Sequence, residues 1–171
     1  PLFILCGSVM TRGAIAQRLI NVMKSLTSPM PGGMAVATIL SCAVFAAISG
    51  SSPVTLLAIG AVMYPALVKE GYSKPFSLGT VASGGTLGII IPPSIPMILY
   101  GIVTETSIVG LFIAGIIPGI LLTVVLSSYC VLANRNLPSK PWQRQEIKLA
   151  FREGIWAMLM PAILLGGIYS G

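Results

Sequence analysis

Apolar positions fill this chain in long runs, and charge is confined to short clusters between them. No charged residue occurs in 25–68, 75–104, 106–134 or 154–171. A helix needs roughly 20 apolar residues to cross a bilayer. The pattern therefore predicts an all-α membrane protein. Residues 1–10 read as the end of one span. In 11–28, Arg12, Arg18 and Lys24 alternate with apolar residues, which predicts an amphipathic arm helix at the membrane interface. Residues 76–103 predict a transmembrane helix broken at Pro92-Pro93, and 108–133 a second crossing. Residues 142–153 set Trp142, Ile147, Leu149, Ala150 and Phe151 among Arg144, Lys148 and Arg152, which predicts another interfacial helix, anchored by the tryptophan. Residues 154–171 read as the start of a truncated span.

The stretch 34–68 is the most informative. It is apolar except for a small polar tip, Ser49-Gly50-Ser51-Ser52-Pro53. Each arm of about 15 residues reaches ~22 Å as a helix, short of a hydrocarbon core of ~30 Å. A single crossing fits no better, because Gly50 and Pro53 break the helix midway. A re-entrant hairpin, entering and leaving on one side, satisfies both constraints. Charge supports it separately. With the hairpin re-entrant, all 10 basic residues fall on one side and the far loop carries only Glu105. The positive-inside rule makes the basic side cytoplasmic. A single crossing at 34–68 would split the basic residues between two sides.

Composition narrows the function classes. Only 8% of residues are charged, against about a quarter in a soluble domain. The net charge of +6 comes from residues flanking apolar spans, so it reads as cytoplasmic anchoring and not as a nucleic-acid footprint. The chain has no histidine and no aspartate. That excludes a Ser–His or di-aspartyl protease and a His-ligated metal within it. Cys6, Cys42 and Cys130 lie in apolar runs at no metal-like spacing. There is no phosphate-binding glycine loop with its lysine, so no nucleotide is hydrolysed here. The chain opens at Pro1 without a signal peptide and stops at Gly171 in an apolar run, which predicts a piece of a longer protein.

The two breaks carry the candidate chemistry. One is the tip, 49–53; the other runs from Ser83 to Ser94. Broken helices at membrane depth are tolerated where they are buried in protein or line a polar cavity. Proline withholds a backbone donor and frees a carbonyl. Serine and threonine add hydroxyl oxygens. Neutral oxygens without a carboxylate suit a hard monovalent cation, sodium above all. Helix N-termini that begin after each break would face an anionic substrate. The expectation is that the tip and the Gly88–Pro93 loop meet and share one sodium ion. Gly115-x-x-x-Gly119 reads as helix packing. A channel would need a ring of selectivity residues, and a scaffold would not need two such breaks.

Long stretches of the chain resemble one family: PLFILCGSVMTRGAIAQRL at 1–19, AAISGSS at 46–52, KEGYSKPF at 69–76, ASGGTLGIIIPPSIPMILYG at 82–101, SIVGLFIAGIIPGILL at 107–122 and GIWAMLMPAILLGGIYSG at 154–171. They are similar to the large membrane subunit of tripartite ATP-independent periplasmic (TRAP) transporters, the DctM-like permeases. The resemblance implies the first inverted repeat of an elevator-type secondary transporter in a bacterial or archaeal inner membrane. It implies import of an organic acid, such as a dicarboxylate, sialic acid, keto acid or sugar acid. The partners implied are a periplasmic solute-binding protein (DctP-like) and a small membrane subunit (DctQ-like). Sodium serves as coupling ion and no cofactor is expected. Carried over by position, the family's first sodium site falls on Ser49, Gly50 and Ser52 and on the carbonyls of Gly88, Ile91 and Pro93. Ser51, Ser83, Thr86 and Ser94 fall in its substrate cavity. One departure is that Pro53-Val54-Thr55 follows the tip where relatives are expected to carry an aspartate, so no carboxylate acts there.

Overall fold

The computed structural model describes residues 14–136 and 144–170, and these are helical almost throughout. In chain order the helices are α1 (Ala14–Thr27), α2 (Gly33–Ser49), α3 (Ser52–Lys69), α4 (Lys74–Ile90), α5 (Ile95–Val103), α6 (Ile108–Ala133) and α7 (Arg144–Ser170). Residues 1–13, 137–143 and 171 lie outside the described residues. With them go the span expected at 1–10, Cys6, Arg12 and Trp142.

Helix α2 is the centre of the molecule. It is apolar with hardly any polar face, and nearly all of its residues are buried. A helix apolar all round is covered by protein or by lipid. Here α1, α3, α4, α6 and α7 all pack on it. Helix α6 is as apolar, yet Ile113, Ile117, Leu121, Val124 and Leu132 on its outer face are more than half exposed. Such a surface suits lipid as its solvent.

Two expectations change on the structure. Helix α1 is amphipathic as predicted, but its apolar face, with Leu19, Ile20, Val22 and Met23, belongs to the protein core. It packs on α2 and α7, leaving Gln17, Arg18 and Asn21 outward. The described parts of the interfacial helix expected at 142–153 and of the span expected at 154–171 form one continuous helix, α7. Only Gly154 stands at the expected junction, and a single glycine costs a helix about 1 kcal/mol. Its missing side chain lets α7 press against Val22 of α1.

The arms of the hairpin are longer than the sequence arithmetic assigned them. α2 has 17 residues and α3 has 18. By length and composition α3, the stretch Lys74–Val103, α6 and Ile147–Ile168 could each cross a membrane, whereas α2 is shorter.

Helix lengths also set the depth of the two breaks. The turn 70–73 joins α3 to α4, and Tyr72 is buried there against Phe76, ring centroids 5.9 Å apart. From this shared turn α3 runs back 18 residues to the tip and α4 runs forward 17 residues to its break. Neighbouring helices of matched length end level, about 26 Å from the turn at 1.5 Å per residue. The tip and the break are thereby delivered to the same depth.

Candidate cation site where two helix breaks meet

Helix α2 ends because Gly50 adopts φ +60°, a left-handed conformation that favours glycine, while its N–H donates to the Ala46 carbonyl at 2.9 Å. Ser51 is extended, and Pro53 opens α3, where its lack of an N–H costs nothing. Helix α4 ends because Pro92 and Pro93 offer no donors and proline disfavours helical geometry in the residue before it. Ile91 is accordingly extended, at φ −75° and ψ 123°.

The two breaks are in main-chain contact. The Ile95 N–H donates to the Gly50 carbonyl at 3.0 Å. A Cβ on Gly50 would lie 2.6 Å from the Pro93 oxygen. A Cβ on Gly88 would lie 2.8 Å from the Ser51 carbonyl carbon and 2.9 Å from the Ser52 nitrogen. The same helix face seats the hairpin arms: Gly84 admits Cys42 of α2 and Gly85 admits Leu56 of α3. Any side chain at Gly88 would hold the tip away from α4.

A donor inventory shows which oxygens the breaks leave over. In an α-helix each carbonyl accepts from the N–H four residues on. Pro53, Pro92 and Pro93 have no N–H to give Ser49, Gly88 and Ile89. The Ile95 amide, due to Ile91 in an unbroken helix, goes to Gly50 instead. The buried Ser94 hydroxyl fills one gap, donating to the Ile89 carbonyl at 2.6 Å. Ser49, Gly88 and Ile91 thus lose their helical donors in one small region, as do Ala47, Ile48 and Ile90, for which no ladder bond from Ser51, Ser52 or Ser94 forms among the described residues. Among the described residues no cluster of histidine, cysteine, aspartate or glutamate could hold a metal. The donor set is neutral oxygen, which suits a weakly polarising monovalent cation.

The other residues singled out divide into two groups. Ser49, Gly50, Ser51, Ser52, Pro93 and Ser94 sit at the junction with Gly88. Ser83 and Thr86 do not join them. Their hydroxyls donate to carbonyls of their own helix, Ser83 to Gly79 at 2.7 Å and Thr86 to Ser83 at 2.6 Å. On a helix turning 100° per residue they lie about 140° and about 160° from Gly88. Ser83 instead lines a cleft between α4 and α6, of about 490 Å³, with Tyr129 and Cys130.

One residue at the tip escaped the sequence reading. Thr55 is fully buried, its hydroxyl 2.8 Å from Ser49 Oγ and 2.9 Å from the Ser51 carbonyl. Its spacing of four from Ser51, one helical turn, was the available signal. The expected packing role of Gly115 and Gly119 is met: they admit Met97 with the Ile90 carbonyl, and the Ile91 side chain, so α6 cradles the break from behind.

Apolar helices long enough to span a bilayer, two of them interrupted at one buried junction, define a helical membrane protein with a polar site made from broken elements. Comparison with known proteins places it further. The family described as "Tripartite ATP-independent periplasmic transporter, DctM component" matches residues 1–171, and the chain belongs to it. It is 44% identical over 174 residues to the C4-dicarboxylate TRAP transporter large permease protein DctM of Pseudomonas aeruginosa, covering 100% of this chain and 41% of that protein. It is 43% identical over 176 residues to the ectoine TRAP transporter large permease protein TeaC of Halomonas elongata, with 100% and 41% covered. It is 42% identical over 175 residues to the isethionate TRAP transporter permease protein DctMQ of Oleidesulfovibrio alaskensis, with 100% and 28% covered. The chain spans about two fifths or less of the length of these relatives.

Proposed function

We propose that this chain supplies one half of the ion and substrate machinery of a sodium-coupled secondary transporter that imports an organic acid. The observation that carries the reading is the meeting of Gly50–Ser52 with Gly88–Pro93, where carbonyls lacking helical donors cluster without a carboxylate. Ser49, Gly50, Ser52, Gly88, Ile91 and Pro93 hold the sodium ion. In a low-dielectric interior, several oriented dipoles replace part of its hydration shell. The N-termini of α3 and α5 both begin at this junction, and neither Ser51 nor Ser94 caps its helix with its side chain. Their positive ends are suited to an anionic group on the substrate. Ser51 and Ser94 face that cavity at the junction, whereas Ser83 and Thr86, turned away from Gly88, stand outside it. The hairpin enters from the cytoplasmic side, and the unit moves as an elevator against the rest of the protein. A DctP-like binding protein delivers the substrate, and a DctQ-like subunit completes the membrane complex. The relatives' names span a dicarboxylate, ectoine and isethionate, so the substrate here is a small organic anion or zwitterion.

The test is uptake of labelled substrate by the full-length protein with its partners in liposomes. Uptake should require an inward sodium gradient. Ser49→Ala should raise the half-saturating sodium concentration about tenfold, equivalent to about 1.4 kcal/mol. Wild-type uptake indifferent to sodium, or an unshifted Ser49→Ala, would defeat the reading.

A further inference from the structure

We infer that Thr55 is a positioning residue for the cation: it accepts a hydrogen bond from the Ser49 hydroxyl and so turns the Ser49 lone pairs toward the ion. This rests on the sodium reading above. The inference comes from counting protons. A threonine hydroxyl has one proton to give and two lone pairs. Thr55 Oγ1 donates its proton to the Ser51 carbonyl at 2.9 Å, one helical turn back. The contact between Ser49 Oγ and Thr55 Oγ1 is 2.8 Å, and one of the two must donate. With the Thr55 proton spent, the donor is Ser49.

The other acceptor near Ser49 Oγ is the Ser51 carbonyl, at 3.4 Å. A hydroxyl hydrogen bond has its optimum near 2.7–2.8 Å and weakens beyond it, so Thr55 outcompetes it. The Ser51 N–H, also 3.4 Å from Ser49 Oγ, competes only weakly for a lone pair. Ser49 and Thr55 are both fully buried, so water does not rearrange the pair. A serine hydroxyl free to rotate would spend part of its time presenting a proton to a cation. Holding the Ser49 proton toward Thr55 removes that repulsive orientation, and the Ser49 oxygen becomes a standing acceptor. The Thr55 N–H also donates to the Ser51 carbonyl, at 3.0 Å. The tip backbone therefore keeps one anchor to α3 when the hydroxyl is removed.

Sodium titration of uptake by the full-length protein in liposomes tests this, using wild type, Ser49→Ala, Thr55→Val and Thr55→Ser. Thr55→Val keeps the shape and loses the acceptor; Thr55→Ser keeps the acceptor. Thr55→Val should raise half-saturating sodium about tenfold while the maximal rate at saturating sodium stays within about twofold. Thr55→Ser should stay within about twofold of wild type. If Ser49→Ala shifts and Thr55→Val does not, Thr55 has no role in positioning, while the sodium site stands. If Thr55→Val and Thr55→Ser lose rate alike at every sodium concentration, Thr55 is only a packing residue and the inference fails. If wild-type uptake ignores sodium, the sodium reading fails first and takes this one with it.

Discussion

Two stretches of this chain look alike and fold differently. Gly88-Ile89-Ile90-Ile91-Pro92-Pro93 ends a helix, while Gly115-Ile116-Ile117-Pro118-Gly119 lies inside one. Pro118 deprives α6 of a single ladder bond, that of the Ala114 carbonyl, and the helix continues to Ala133. At 92–93 two consecutive donors are missing, and the second proline also forces the first out of helical geometry. Replacement partners for the displaced groups come from outside the ladder: the Ser94 hydroxyl for Ile89, and Gly50 for the Ile95 amide. Proline alone does not mark a break at membrane depth. At 92–93 the break forms because the prolines are paired and neighbouring groups take up the stranded partners.

Added bulk at one glycine of each stretch separates the two. Gly88→Val would drive side-chain carbons into the Ser51–Ser52 main chain, which cannot rotate away. The expected cost is about 3 kcal/mol, with uptake reduced about 100-fold or more. At Gly119 a new Cβ would crowd the Ile91 side chain, at 3.0 Å, which can yield, while the Ile91 Cα and the Ile90 side chain stay at ordinary contact distance. Gly119→Ala should cost about 1 kcal/mol and leave uptake within a factor of about three. Uptake and thermal unfolding of the two full-length variants decide the matter. Equal damage would mean that α6 is no mere cradle.

A smaller effect compares two hydroxyl-to-carbonyl bonds. The Ser94 hydroxyl replaces a donor that Pro93 lacks, whereas the Thr123 hydroxyl bonds the Gly119 carbonyl within the continuous ladder of α6, at 2.8 Å. Ser94→Ala should therefore strand a buried acceptor, at about 1–3 kcal/mol, and Thr123→Val should cost about 0.5 kcal/mol or less. Melting temperatures in detergent that fall equally for both would show that the Ile89 carbonyl has another partner.

The shared depth of the two breaks is legible in the sequence, because it follows from counting. Tip and break lie at nearly equal distances along the chain from the turn 70–73, and the charge clusters locate that turn. The identity of the breaks was legible too, since glycine and paired prolines act locally. Facing was not. Ser83 and Thr86 sit close in sequence to Gly88, and only the helix rotation set by the Gly84, Gly85 and Gly88 contacts turns them away. Thr55 was not legible, because a threonine within an apolar helix looks like any β-branched packing residue. Its hydrogen bonds to Ser49 and the Ser51 carbonyl exist only once the tip bends back over it. The continuity of α7 likewise depends on contact with α1, which charge patterning does not report.

The last contrast lies within α4 itself. Gly79, Gly84, Gly85 and Gly88 are equal by helix propensity, and each costs the helix about 1 kcal/mol relative to alanine. Three of them recover that cost by letting α2, α3 and the tip approach. Gly79 has no neighbour within 4 Å of the position a Cβ would take. Gly79→Ala should therefore raise stability by about 0.5–1 kcal/mol through propensity alone, leaving the sodium dependence of uptake unchanged. Thermal unfolding of the full-length protein reads the sign directly. A rise sets Gly79 apart from the three contact glycines. A fall as large as that of Gly84→Ala would mean that α4 rejects any added carbon, and the row would no longer point to the tip.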